Sequence, residues 1–536
     1  MCDQAEMKRA VLLFLFRLTA GLAVDLRLED SSTTGHIPQT KRFELNVTWG
    51  LWAPDGVERQ QTLINGQFPG PPLIMDEGDD VEVTVNNFMP YSTTIHYHGI
   101  EQLGTPWSDG VPGVSQRLIP PGERFVYSFK VQQYGTYWPK RNAENLVSMI
   151  TNDTIEHAHI YNAIKSPSLV MLSDWFHMTS ETLRNISVDA DIDALCTDSI
   201  LVNGKGRVNC RDPGYLTEMV PASVKPVLQG MNYTAKGAVP PSLFDECTAT
   251  DAKEEIINVD PLNGWASLNF IGSASVSALT VSINNHSLWV YEVDGLYIKP
   301  TKVDALTISN GGRYSCLIRL DKAPGNYSIT VANSGFNQKI AGFASLSYSN
   351  GDPSVTSAPS INYGGISTST DIILFDEARI EMLTPSQPKG SPDQTYILTA
   401  GRIRKAWEWS LNGNNSYGLA LEAMNPFLWN PQSAVNSSLV IATKNNTWVD
   451  IIFSMSGNIS VLQPSHPLHK HSNRVYVLGS GTGTFEWTSV AEASKDIPES
   501  FNLISPPMRD TFVTPPAYKG QSWLAIRYHD SQSWTV

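Results

Sequence analysis

The chain carries two short clusters of histidine that lie far apart in the sequence. The first is the pair His96 and His98, and the second contains His466, His469 and His471. Residues two apart leave the same face of a β-strand, so each pair can present both imidazoles to one metal or to two adjacent metals. Imidazole is a preferred nitrogen ligand of copper and zinc. One such pair is usually structural or solvated, but two pairs in one chain favour a metal site built from both ends.

The elements around these clusters have the pattern of β-strands. Val81-Glu82-Val83-Thr84-Val85 alternates before the first cluster, and Trp448-Val449-Asp450-Ile451-Ile452-Phe453 is rich in β-branched and aromatic residues before the second. Such segments end in Gly, Pro, Asn or Asp, and helical patterns are few, which predicts an all-β fold of antiparallel sandwiches. At roughly 150 residues per domain, the length predicts several domains. We place a signal peptide at 1–23, domains at 24–165, 166–348 and 371–536, and a Ser/Pro/Gly/Thr-rich linker at 349–370.

Both clusters resemble copper motifs of the multicopper oxidases, the family of laccases, ascorbate oxidases and ferroxidases. His96-Tyr97-His98-Gly99 is similar to the first motif, and the segment from His466 to His471 is similar to the third. The sequence is most similar to that of fungal laccase-like enzymes that couple phenolic polyketides. The resemblance implies three cupredoxin-like β-sandwiches. It covers nearly the whole chain through these further segments: Asn65-Gly66-Gln67-Phe68-Pro69-Gly70-Pro71, Trp107-Ser108-Asp109-Gly110-Val111, Gly135-Thr136-Tyr137-Trp138, Leu172-Ser173-Asp174-Trp175, Ile200-Leu201-Val202-Asn203-Gly204 and Trp289-Val290-Tyr291-Glu292-Val293-Asp294-Gly295.

The resemblance implies a role for each clustered histidine. The family holds a blue copper with one thiolate and two imidazoles, and a three-copper cluster, four copper ions in all, between its first and third domains. Matched motif by motif, the type 2 copper ligands are His96 and His469, the type 3 ligands are His98 and His471, and a blue-copper ligand is His466. The middle domain has no histidine cluster, and we expect it to act as a spacer and a wall.

Asp109 matches the acidic residue that the family keeps near the cluster. A carboxylate there can relay protons or orient bound water. An Asp before Gly110 is equally typical of a turn, and both interpretations stay open.

The second family motif does not follow Trp138, where the resemblance places it. Pro139 follows instead, and the next residues read like the family's normal continuation. We interpret this as the loss of about 20–25 residues, including a strand of ordinary length. The alternative is that His157-Ala158-His159 is a displaced second motif.

The fourth motif, His-Cys-His, is expected soon after His529 and is not found in the residues up to Val536. No cysteine follows Cys316, so we expect the blue-copper thiolate to be missing. We therefore expect an incomplete first and third sandwich, and one or two copper ions in place of four. His529 is interpreted as a strand-end residue.

Composition limits the partners and the compartment. Only 17% of residues are charged and the net charge is −14, which argues against nucleic acid. Residues 7–23 have the basic start, apolar run and small-residue end of a secretory signal, and no stretch is long enough to span a membrane. The mature chain would keep Cys196, Cys210, Cys247 and Cys316, an even number, with Cys316 in a strand-like segment as a candidate buried thiol. With recurrent Asn-x-Ser/Thr sequons, these features predict a glycosylated protein that is secreted or held in a secretory vesicle.

These observations predict a laccase-like enzyme that couples one-electron oxidation of small phenols, in secondary metabolism or pigment formation, to reduction of O2, impaired or inactive as the sequence stands. A catalytically inactive copper-binding protein, or one that guides coupling for another oxidase, is the alternative. A ferroxidase and a zinc hydrolase using His96, His98 and His469 are further candidates. The oligomeric state is left open.

Overall fold

The computed structural model describes residues 22–25, 38–132, 146–151, 153–192, 196–218, 239–240, 243, 246–335, 338–348, 355, 358–402, 405, 408–412, 422, 424–430, 432, 440–455, 464–516 and 520–530. Most of the predicted signal peptide and the junction of Trp138 with Pro139 lie outside these residues. Within the described ranges, no helix is both long and apolar enough to cross a membrane.

A first group of strands contains a four-stranded sheet in the order β3-β2-β5-β6, and a parallel pair of β1 with β4. Val81, Val83 and Val85 of β5 are buried, so the predicted period-two pattern is confirmed. The strands are β1 (Leu22–Asp25), β2 (Thr40–Trp52), β3 (Arg59–Ile64), β4 (Gly70–Ile74), β5 (Asp80–Asn87) and β6 (Arg124–Lys130). The missing segment stays a prediction, because residues 133–145 are not described.

The middle group is a sandwich of a six-stranded and a five-stranded sheet. The sheet orders are β13-β12-β15-β10-β7-β8 and β14-β11-β16-β17-β9, and one apolar core fills the space between them. The strands are β7 (Ser168–Trp175), β8 (Ser199–Val202), β9 (Glu255–Val259), β10 (Trp265–Gly272), β11 (Leu279–Ile283), β12 (Leu288–Val293), β13 (Leu296–Val303), β14 (Ala305–Ile308), β15 (Arg313–Arg319), β16 (Asn326–Asn333) and β17 (Ala341–Tyr348). The α-helices near this group are α1 (Thr154–Lys165), α2 (Ser180–Ala190) and α3 (Pro213–Glu218).

The third group has a six-stranded sheet in the order β19-β18-β20-β25-β22-β23, and a separate antiparallel pair of β21 with β24. The strands are β18 (Gln394–Arg402), β19 (Trp409–Leu411), β20 (Thr447–Met455), β21 (Pro467–His469), β22 (Val475–Thr482), β23 (Met508–Arg509), β24 (Thr511–Val513) and β25 (Ser522–Asp530), with the helix α4 (Val490–Asp496). His529 lies near the end of β25, as predicted. The prediction of an all-β fold built from sheets is thus confirmed, whereas the domain boundaries stay predictions.

The segment before β18 connects the third group to the middle sandwich. Leu374 forms a parallel bridge with Ala305, and Met382 forms an antiparallel bridge with Ile298. Ile380 and Met382 are buried in the middle core. Burial of these side chains holds the third group against the middle one.

The cysteines of the middle region are structural. Cys210 and Cys247 form a disulfide, and Cys316 is a free thiol buried in the core on β15, as predicted. Burial raises the pKa of the Cys316 thiol. A buried neutral thiol is a poor metal ligand, because the thiolate is the form that binds.

A polar contact joins the first group to the middle one. The ring of His177 donates from Nε2 to Asp55 at 2.8 Å, and Nδ1 lies 3.5 Å from Asp198. Ser199 also donates to Asp55, whose side chain is fully buried. Burial lowers the pKa of His177, but the hydrogen bond to Asp55 and the charge of Asp198 outweigh it and raise the pKa. The charged imidazole therefore links the two groups.

We expect this link to weaken with increasing pH. Because the folded pKa of His177 is raised, its stabilisation is complete below the unfolded pKa of about 6.5 and is lost as pH rises through the folded value. His177→Gln should lower the first thermal unfolding midpoint by about 2 °C near pH 6 and have little effect near pH 9. His159→Gln, on the exposed side of α1, is the control. An equal loss at both pH values would contradict the charged link.

Candidate metal centre

The first histidine pair lies in an irregular segment after β5, not in a strand as the spacing suggested. Successive side chains still point to alternate sides of the segment, because Ile95 and Tyr97 point into the core. The Ile95 amide donates to the Tyr127 hydroxyl at 2.8 Å, which holds the segment against β6. His96 and His98 therefore share the opposite, outward side.

The second pair follows from the pairing of β21 with β24. His469 ends β21 and lies opposite Thr511, and His471 comes two residues later. The pairing of β21 with β24 covers only three residues. This short ladder positions the His469 ring, and the loop after it positions the His471 ring.

The two pairs meet ring against ring. The His98 ring stacks on that of His469 with 3.6 Å between centroids, and the His96 ring lies 4.0 Å from that of His471. The His96 and His469 centroids are 5.7 Å apart. Four of the five clustered histidines, from opposite ends of the chain, thus form one compact group.

The nitrogens of this group are close enough for a shared metal. One ligand atom each from His96, His469 and His471 lie within 4.8 Å of one another, and so do one each from His98, His469 and Asp510. Two nitrogens bound to the same ion are at most about 4 Å apart at ordinary bond lengths. The His96 to His469 separation therefore needs only a small adjustment to hold one ion.

Two main-chain carbonyl groups set the tautomers of His96 and His469. Nδ1 of His96 donates to the Asp109 carbonyl at 2.7 Å, and Nδ1 of His469 donates to the Asp510 carbonyl at 2.8 Å. A carbonyl only accepts, so Nδ1 carries the hydrogen and Nε2 has the lone pair. Both Nε2 atoms are buried, with no hydrogen-bond partner among the described residues. Buried nitrogens with unused lone pairs fit a copper or zinc ion.

Two carboxylates face the other two imidazoles. Asp109 accepts from Nδ1 of His471 at 3.0 Å, and Asp510 lies 3.7 Å from Nε2 of His98, which contacts the Thr511 hydroxyl at 2.8 Å. Oδ1 of Asp109 has no hydrogen-bond partner in the described part of the chain. Asp109 also takes part in the turn, because its amide donates to the Pro106 carbonyl at 3.2 Å and Gly110 follows with a φ of +81°. Both sequence interpretations of Asp109 thus have a structural counterpart.

Asp510 was missed by the sequence analysis. It lies in Arg509-Asp510-Thr511, with no histidine nearby in sequence. Only the pairing of β21 with β24 brings it to the imidazoles. An Arg-Asp dipeptide alone carries no signal of that pairing.

The electrostatics favour neutral, ligand-competent imidazoles at most positions. Burial and neighbouring charges, of Arg313 for His98 and of other imidazoles for His469 and His471, hold all three pKa values below the usual range. The exception is His96, for which burial lowers the pKa but Asp109 raises it overall. Burial raises the pKa of Asp109, yet His471 and His96 outweigh it, so the carboxyl stays ionised. A neutral imidazole beside an ionised carboxylate is the state that binds a metal.

His466 lies apart from the four-histidine group. Its amide donates to the Thr514 hydroxyl at 3.0 Å, and its ring packs edge-on against Trp409 with centroids 5.0 Å apart. Among described residues, the sets of ligand atoms within 4.8 Å of one another do not include it. The described cysteines offer it no thiolate there either.

The alternative second motif, His157-Ala158-His159, is not supported. The segment lies in α1, where residues two apart point to different sides. His157 contacts the Thr151 carbonyl at 2.5 Å, and His159 contacts that of Asn263 at 2.7 Å. Neither belongs to the close ligand sets of the described residues. The prediction of a displaced motif is therefore wrong, because these imidazoles serve the local structure of a helix.

Comparison with known proteins agrees with this geometry. Family models described as multicopper oxidase match residues 46–145, 168–351 and 400–535. The chain is 40% identical over 530 residues to laccase abr2 of Aspergillus fumigatus, covering 91% of this chain and 90% of that one. It is 35% identical to laccase-1 of Emericella nidulans, with coverages of 91% and 90%.

A solved structure, that of the laccase from Botrytis aclada, shares the fold. The TM-score is 0.61 at 20% identity, and the match covers 93% of this chain and 84% of that one. The models and relatives span most of the chain, including both segments that carry the four imidazoles. The chain therefore belongs to the multicopper oxidase family, most like the fungal laccases, and with the family come a copper cofactor and oxidoreductase chemistry with O2 as the acceptor.

Proposed function

We propose that this protein oxidises small phenols by one electron at a time, with O2 as the acceptor, through copper held between its first and third groups of strands. The type 2 ion would be bound by His96 and His469, and type 3 ions would take His98 and His471. The observation that carries this proposal is the pair of buried Nε2 atoms on His96 and His469, which have no hydrogen-bond partner in the described part of the chain. The names of the relatives, laccases of fungi, support the phenolic substrate class.

The residues around the ion have distinct tasks in this proposal. Copper, when bound, supplies one-electron chemistry towards the phenol and O2. The carbonyl groups of Asp109 and Asp510 orient the two type 2 imidazoles. Oδ1 of Asp109, which lies 3.4 Å from Nδ1 of His96 and makes no hydrogen bond to the described residues, is placed to hold a water molecule. His466 would be a blue-copper ligand if a thiolate were supplied to it.

We further propose that this chain loads one or two copper ions and is an impaired oxidase that turns over phenols only weakly. Cys210 and Cys247 are joined in a disulfide, and Cys316 is buried in the middle core. Cys196 belongs to neither close ligand set of the described residues, and burial raises its pKa to about 11. Without a thiolate at His466, the blue site has no soft ligand to tune its potential.

This observation favours a second candidate, a copper-binding protein without oxidase activity. Such a protein would hold copper at His96 and His469 and guide coupling by another oxidase. Either function fits a secreted glycoprotein, and the Cys210–Cys247 disulfide supports an oxidising compartment.

Copper loading and phenol oxidation test the two candidates together. We expect the purified chain, reconstituted with Cu²⁺, to bind one or two ions with no intense band near ~600 nm, because a blue site needs a thiolate. Oxygen uptake with a diphenol should be weak but should exceed that of the metal-free chain. Full loading of four ions with blue absorption and O2 uptake would contradict the impaired state, and copper binding without uptake would favour the binding protein.

The identity of the ligands is tested by substitution. His96→Ala and His469→Ala should each weaken Cu²⁺ binding by at least about 100-fold, because each removes one of two nitrogens on the same ion. The double variant should be little worse than either single variant, since the pair acts as a unit. Equilibrium dialysis measures the affinity. His159→Ala is the matched control, and an unchanged affinity in His96→Ala would refute the assignment.

A further inference from the structure

The middle sandwich reaches the metal centre through Arg313, at the start of β15. Its Nη1 and Nη2 atoms each donate to an oxygen of Asp510 at 2.6 Å. Its Nη1 also donates to the carbonyl of Gly311 at 2.9 Å. The guanidinium is mostly buried, with 16% of the side chain exposed, and Asp510 is 4% exposed. A planar fork that matches both carboxylate oxygens fixes position as well as charge.

Asp510 passes this position on to one imidazole from each end of the chain. Its carbonyl accepts the Nδ1 hydrogen of His469. Its Oδ1 accepts from the Thr511 hydroxyl at 3.0 Å. The hydroxyl oxygen of Thr511 in turn lies 2.8 Å from Nε2 of His98. The orientation of His469 and that of His98 therefore both depend on where Asp510 is held.

A second ion pair, between Arg509 and Asp294, also holds residues 509–511 in place. Arg509 donates from Nε to Asp294 at 2.6 Å, and Asp294 also accepts from the Thr511 amide at 3.3 Å. Asp294 is fully buried at the turn between β12 and β13. Residues 509–511 are thus bound to the middle sandwich at both ends.

Arg313 also packs against the first histidine pair. Gly99 has a φ of +90°, and a Cβ there would lie 2.6 Å from Nη2 of Arg313. Gly311 has a φ of +80°, and a Cβ there would lie 2.7 Å from Cε1 of His98. A side chain at either position would be strained by the positive φ and would crowd the guanidinium or the His98 ring, so the two glycines allow Arg313 and Gly311 to lie against the segment that carries His96 and His98.

The two carboxylates of the site therefore differ in what surrounds them. Both oxygens of Asp510 are held by Arg313, whereas Oδ1 of Asp109 has no hydrogen-bond partner in the described residues. A carboxylate held by a guanidinium cannot turn to follow a substrate or water. Oδ1 of Asp109 instead makes a looser contact with Nδ1 of His96 at 3.4 Å, so Asp109 is held less firmly.

We propose that Arg313 is a positioning residue of the copper centre: its two hydrogen bonds to Asp510, made from the middle sandwich, fix the orientation of His469 and His98. The proposal rests on the proposed function, because it takes these imidazoles as copper ligands. It adds a part for the middle group of strands, which contributes no imidazole to the centre.

The test compares three variants of the full chain in Cu²⁺ affinity, in the electron paramagnetic resonance spectrum of the bound ion and in metal-free thermal stability. Arg313→Lys keeps the charge but loses the fork. Arg313→Met with Asp510→Asn removes both charges, so that neither is left buried alone if Arg313→Met itself fails to fold. Arg319→Lys is the matched control on the same strand, where the side chain is 59% exposed beside Glu156.

We expect Arg313→Lys and the double variant to weaken Cu²⁺ binding about ten-fold or more and to change the copper hyperfine splitting, since outer partners orient the ligands. Arg319→Lys should match the wild type. A merely structural role would lower the metal-free unfolding midpoint while leaving the spectrum and affinity of the folded fraction unchanged, and that result would overturn the proposal. Wild-type protein that binds no copper would instead overturn the proposed function, and the inference with it.

Discussion

Two hydrogen bonds from imidazole to main-chain carbonyl, one in each half of the metal centre, are the interactions on which the site depends. Because Asp109 and Asp510 offer carbonyl oxygens to Nδ1, the Nε2 atoms of His96 and His469 keep their lone pairs. Backbone partners are more rigid than side chains, so the geometry is set by the fold. The carboxylates of the same two residues lie beside histidines of the opposite half, Asp109 beside His471 and Asp510 beside His98. The site is therefore roughly symmetric.

That symmetry is broken by the middle sandwich. Asp510 is clamped by Arg313, and the turn behind it is clamped by the pair of Arg509 with Asp294. Desolvating four charged groups is costly, and it is offset only where each ion pair has good geometry and further hydrogen bonds. Here the two ion pairs join segments some 200 residues apart in sequence. Their desolvation cost is accompanied by a gain in specificity, because they order three groups of strands around one centre. The sequence predicts that the middle group is a spacer and a wall, and the contacts of Arg313 and Asp294 make it a support of the centre as well.

The parts that were predictable from sequence are those encoded by local spacing. The alternation of Val81, Val83 and Val85 identified a half-buried strand, and the His-x-His spacing identified rings on a common side, even though His96 and His98 lie outside any ladder. Asp510 and Arg313 could not be found, because strand register and an ion pair between distant segments bring them to the site. The proposed displacement to His157 failed for a related reason: His-x-His places two rings together only in extended chain, and α1 is a helix.

Metal binding and oxidase activity therefore depend on different parts of this molecule. The His96 and His469 pair is complete by itself, since its two nitrogens and both orienting carbonyls lie in described segments. Electron entry at a blue site needs a thiolate beside His466, and the described cysteines are joined in a disulfide, buried in the middle core or not part of a close ligand set. Selection for a folded copper-binding centre and selection for turnover would act on separate residues. A chain of this family can thus keep the buried ion pairs and glycines that order the centre whether or not electrons pass through it.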